Sequence, residues 1–101
     1  MTYTAERLKS DLPPERYYTV RLNGSYGKPT GQGWHMWNGL CPFHNDKRTG
    51  SFVVNKSSGA FKCFSCGASG GDIIAFHMKA NGVNFKEAFQ QLQEVAQCTP
   101  L

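Results

Sequence analysis

Three thiols and an imidazole stand in two short pairs: Cys41-Pro42-Phe43-His44, then, after eighteen intervening residues, Cys63-Phe64-Ser65-Cys66. A pair separated by two residues can wrap its backbone round one ion, and a hairpin between the pairs returns the chain to present the second. Soft thiolates with one imidazole favour Zn²⁺ over hard cations. Four protein ligands leave no position for water, so the ion is structural rather than hydrolytic, and the site carries one formal negative charge. Cys98 lies among polar residues after the last expected helix and is read as an unligated thiol; the competing reading exchanges it for His44 as fourth ligand. His35 and His77 are read as surface or core-edge histidines.

The elements around these pairs must hold them. Lys56-Ser57-Ser58-Gly59 has hairpin chemistry, with Gly59 free to take a positive φ, between strands expected at Ser51 to Asn55 and Ala60 to Phe64. A further strand is expected at Trp34 to Leu40. Phe52 and Val54 then share one face, Phe61 and Cys63 another, which makes a ribbon with little core of its own. The stretch from Trp34 to Gly71 has 38 residues, and segments below about 40 seldom fold without a metal, disulfides or a partner. Metal binding and folding are therefore expected to be coupled.

Two helices follow. Asp72 is placed to cap Ile73 to Ala80, with Asn81-Gly82 closing it. Asn84-Phe85-Lys86-Glu87 is an Asn form of the capping box, and Ala88, Phe89, Leu92, Val95 and Ala96 recur at helical spacing, a stripe expected to lie on the ribbon. Upstream, Leu8 and Leu12 mark a short helix from Thr4, stopped by Pro13-Pro14. Tyr17 to Leu22 is read as a strand, and Asn23 to Gly33 as a Gly-rich loop. The expected fold is small α+β: a zinc ribbon packed by two C-terminal helices, with residues 1–33 an N-terminal extension, 34–97 the ribbon domain and 98–101 a tail.

The chain has 101 residues and a net charge of +4, enough for one domain. The excess is uneven: +2 over residues 1–33, +3 over 34–71 and −1 over 72–101. Apolar runs extend only a few residues, as in Ile73-Ile74-Ala75-Phe76, whereas a membrane span needs about 20. The first residues lack the basic start and apolar run of a secretory signal, so the expected compartment is the cytoplasm, where thiols stay reduced and serve metals rather than disulfides.

Lys47, Arg48, Lys56 and Lys62 lie on or beside the ribbon, interleaved with Trp34, Trp37, Phe61 and Phe64. Cations that meet phosphates, beside aromatic faces on which bases stack, are the means of holding a single strand. A competing reading packs Phe52, Phe64 and one tryptophan beneath the helices. Lys47, Arg48, Lys56, Lys62, Trp34, Trp37 and Phe61 are the candidate strand contacts.

The run Gly39 to Lys47 (Gly-Leu-Cys-Pro-Phe-His-Asn-Asp-Lys), then Ser51-Phe52, Phe61 to Ala68 (Phe-Lys-Cys-Phe-Ser-Cys-Gly-Ala) and Gly70-Gly71-Asp72, resembles the N-terminal zinc-binding domain of DnaG-type bacterial and phage primases. The resemblance covers about Trp34 to Ala96. It departs where a proline often precedes the Ser-Phe pair, here Gly50, and residues 1–33 lie outside it. What it implies is a zinc ribbon that engages single-stranded template DNA and helps choose the primer start, with a separate domain carrying the Mg²⁺-binding carboxylates of polymerisation. None of the seven acidic residues here forms an Asp-x-Asp pair. The expected function is thus a stand-alone strand-binding module for replication priming, with catalysis from a primase, polymerase or helicase partner. The alternative is a non-enzymatic protein-interaction or regulatory ribbon.

Overall fold

The computed structural model describes residues 4–22, 24–45 and 47–96, with the backbone of 97 and 98. Helices α1 (Ala5–Asp11) and α2 (Pro14–Arg21) lead into strands β1 (Tyr26–Gly31), β2 (Trp34–Trp37), β3 (Phe52–Asn55), β4 (Phe61–Cys63) and β5 (Ser69–Gly70), then α3 (Ile73–Asn81) and α4 (Phe85–Cys98). The strands pair antiparallel in chain order to form one five-stranded sheet. The fold is small α+β as expected, but the ribbon is part of a wider sheet.

Register decides which side chains look inward. Residues directly opposite one another on paired strands point to the same side. Val54 pairs with Phe61 and Phe52 with Cys63, so these four share one face, contrary to the expectation that Phe52 and Val54 lie on one and Phe61 and Cys63 on another. That face joins Trp37, Tyr17, Tyr18, Ile73, Phe76 and Leu92 in a single buried core. Met36 opposite Val53, and Val53 opposite Lys62, belong to the outer face.

Local chemistry accounts for the helix ends. The Asp72 carboxylate accepts from the Ala75 N–H at 2.8 Å, and Gly82 ends α3 in the left-handed region at φ 64°. Asn84 Oδ1 accepts the Glu87 N–H at 2.8 Å at the start of α4, and Thr4 caps α1 through the Arg7 N–H.

Tyr17 to Leu22 is helical, contrary to the strand expected there. Pro14 occupies a first-turn position, where its missing N–H costs nothing, and Glu15 complements the helix dipole. Tyr17 and Tyr18 are both fully buried, which a helix permits for neighbours about 100° apart and a one-sided strand does not. Tyr18 donates its hydroxyl to the Gly59 carbonyl. Gly59 has φ 85°, and a Cβ there would lie 3.1 Å from Ile73, so the β3–β4 turn is pressed against α2 and α3.

The segment expected as a loop is largely β1. It is an edge strand, where Pro29 removes no needed ladder bond, and its register shifts on either side of Pro29. Gln32 and Gly33 turn it into β2 with φ 54° and 88°, the paired positive values of a tight hairpin. Residues 5–31 thus contribute two helices and a strand to the same fold as the ribbon. The stripe of α4 also lies differently from expectation. Phe76 of α3 packs against Phe52 and Phe61 of the sheet, and α4 rests on α3 and α1 instead. Among the described residues no helix is long and apolar enough to cross a membrane.

Candidate metal centre

The two ligand pairs meet at one end of the sheet. Cys41 and His44 sit on a turn after β2, Cys63 ends β4, and Cys66 follows on the turn into β5. One donor atom from each lies within 4.8 Å of all the others. Cys41 Sγ is 3.9 Å from Cys66 Sγ, and Cys63 Sγ is 3.8 Å from His44 Nδ1. A tetrahedron with Zn–S bonds of about 2.3 Å has S···S edges of about 3.8 Å. The residues therefore fit one tetrahedral zinc ion.

Backbone donors prepare the thiolates. The Phe43 N–H points at Cys41 Sγ at 3.4 Å and the Cys66 N–H at Cys63 Sγ at 3.5 Å. Burial pushes the Cys41 thiol up to about 12 despite the Phe43 N–H. Burial acts upward on Cys63 as well, but the N–H groups of Cys66 and Ser65, with thiol donors from Cys41 and Cys66, outweigh it and bring that group down to about 7. A bound cation would hold the cysteine ligands as thiolates. Ser51 Oγ lies 3.8 Å from Cys63 Sγ and completes its polar surroundings.

Phe43 ties this turn to the core. Its ring stacks on Phe61 with centroids 5.4 Å apart and meets Phe76 edge-on at 5.2 Å. His35 and His77 stand apart from the four ligands. His35 Nδ1 is 3.1 Å from the Gly27 carbonyl, while His77 is buried between the Tyr17 hydroxyl at 2.9 Å and Gln91 Oε1 at 2.7 Å. Helix α4 reaches Cys98, but the Cys98 side chain lies outside the described residues.

A family model described as the CHC2 zinc finger matches residues 19–100. The chain belongs to the CHC2 zinc-finger family of DnaG-type primases. This CHC2 zinc finger is 40% identical over 80 residues, 79% of its length, to the DNA primase of Mycobacterium leprae, of which that stretch is 12%. It is 44% identical over 71 residues, 70% of its length, to the DNA primase of Mycolicibacterium smegmatis, covering 11% of it. The Streptomyces coelicolor DNA primase is 50% identical over 54 residues, 54% of this chain and 8% of the primase. The chain thus spans about a tenth of the length of the primases it matches. The family match begins inside α2 and includes β1.

The candidate strand contacts divide between the two faces of the sheet. Trp37 and Phe61 are each 1% exposed and lie in the core, where an enclosed ring has no face for a base to stack on. Phe64, omitted from the expected contacts, is 66% exposed. Trp34 and Lys62 lie with Met36, Val53, Gly50 and Phe64 along an outward groove of about 460 Å³. Lys62 Nζ sits 5.2 Å over the Phe64 ring. Lys56 is drawn elsewhere, 3.4 Å from Glu15 and 5.5 Å from the centre of the Tyr26 ring. Lys47 and Arg48 are exposed on the segment leading from the first ligand pair to β3. The zinc pattern itself held the missing signal. Cys63 must face inward to its ligand partners, so alternation along β4 puts Phe61 inside and Lys62 outside.

Proposed function

We propose that this zinc finger binds single-stranded template DNA through the outer face of its sheet and supports primer initiation, with polymerisation supplied by a separate catalytic unit. The observation that carries the reading is the groove that combines Trp34, Phe64 and Lys62 with no acidic side chain among its described lining residues. Zinc acts from behind that face: the four ligands fix the ends of β2, β4 and their turns, and so hold the groove in shape. Lys47 and Arg48 extend the positive surface toward the metal turn, where they would meet phosphates. The cytoplasm, where template DNA and reduced thiols coexist, is the compartment this role requires.

Titrating a labelled single-stranded oligonucleotide into the zinc-loaded chain at low and moderate salt tests the reading. Affinity should be measurable at low salt and should fall as salt rises, with a slope of about −0.7 per phosphate neutralised. Absence of binding at low salt, with zinc present in equal amount to protein, would remove it.

A further inference from the structure

We propose that the outer groove holds one unstacked base of the bound strand, gripped by its faces and not read through its edges. The proposal rests on the strand-binding reading above and narrows it to a single nucleotide site. Its motive is the chemistry of the walls. Trp34 and Phe64 supply aromatic surface, while Met36 and Val53 form an apolar floor. At about 460 Å³ the groove falls in the range of small-ligand sites, roughly 300–1,000 Å³. A base inside a duplex shows only its edge, so an aromatic wall can grip it only after it leaves the stack.

Charge selects a nucleotide over an apolar peptide for this groove. Among the described lining residues Lys62 is the one that carries a charge, and its ammonium is held 5.2 Å over the Phe64 ring. A base resting against the aromatic walls therefore places its own phosphate within reach of a cation. Among the described lining residues, the side-chain hydrogen-bonding groups are the Thr30 hydroxyl, the Lys62 ammonium and the Trp34 indole N–H, too few to distinguish four hydrogen-bonding patterns. Stacking tolerates every base, because each has a π-face. The site should accordingly depend on the presence of a base much more than on its identity.

Oligomers whose sugars carry no base separate this site from general phosphate attraction. The zinc-loaded chain would be titrated with an eight-nucleotide thymidine strand, a fully abasic strand of equal length, and abasic strands carrying one, two or three adjacent thymines. The full strand is expected to bind roughly ten- to a hundredfold more tightly than the abasic one, and one thymine should restore most of that difference. Phe64→Ala, a change at an exposed ring, should erase the difference while zinc content and thermal unfolding stay as in the parent. Equal affinity for the full and abasic strands would overturn the site, as would an undiminished difference in Phe64→Ala. A gain that begins only at two or three adjacent bases would overturn its single-base character. Failure of every strand to bind at low salt would instead overturn the strand-binding reading, and the base site with it.

Discussion

Phe43 and Phe61 stack at 5.4 Å with their planes 25° apart, which joins the turn between two metal ligands to the middle of the sheet. Phe43 binds no metal, yet its position between Cys41 and His44 means that the core and the metal site orient each other. Phe43→Ala should lower stability by about 2–4 kcal/mol and weaken zinc binding while retaining one zinc at saturation. Thermal unfolding and chelator competition check both effects. Unchanged zinc affinity in a destabilised variant would show that the core does not position the ligands.

Cys63→Ser should cost far more. Structural zinc contributes apparent binding free energies on the order of 10–16 kcal/mol, while a small domain's net stability is only about 5–15 kcal/mol. The variant is expected to lose the metal and its cooperative unfolding transition. Cys98→Ser should keep both, and loss of metal there would reassign the ligand set.

Lys62 and Lys56 were equivalent in the sequence and differ in the structure. Lys62 lines the groove, so Lys62→Ala should weaken strand binding and make the salt slope shallower by about 0.7. Lys56 faces Glu15 across an exposed ion pair, worth about 0–1 kcal/mol; Lys56→Ala should change both binding and stability little. Titrations at four or five salt concentrations distinguish the two. Equal losses from both variants would place the strand along the β3–β4 turn instead.

Acid should unfold the domain partly through His77. Burial holds this imidazole below its ordinary value, and burial likewise pushes the Tyr17 phenol up to about 12, so Tyr17 donates to Nδ1 while Nε2–H donates to Gln91. Below about pH 6.5 the unfolded histidine takes a proton that the folded one refuses. Stability from this source is therefore present above pH 6.5 and is lost as the pH falls below it, by up to about 1.4 kcal/mol per unit. Protonation of the zinc ligands adds its own acid loss, so the comparison is between the parent and His77→Gln. The variant should show a flatter stability profile between pH 6.5 and 5, and parallel profiles would remove His77 from the account.

Features fixed by short-range chemistry were legible in the sequence. Asp72, Gly82 and Asn84 set helix ends through bonds within a few residues, and the spacing of the four ligands brought them together. The errors fell where tertiary contacts decide. Tyr17 and Tyr18 favour strands by type, but the chance to bury both beside α3 makes them helical. Pro29 and its neighbouring glycines suit a loop until β2 offers a partner and the position becomes a sheet edge. Phe61 and Phe64 lie on opposite sides of the sheet, and only the inward demand on Cys63 reveals which is which.

Elemental analysis of the natively purified chain, read beside its unfolding curve before and after chelation, tests the central claim most directly. One zinc per chain and loss of the cooperative transition on chelation are the results expected. A cooperatively folded chain with far less than one metal ion per molecule would contradict it.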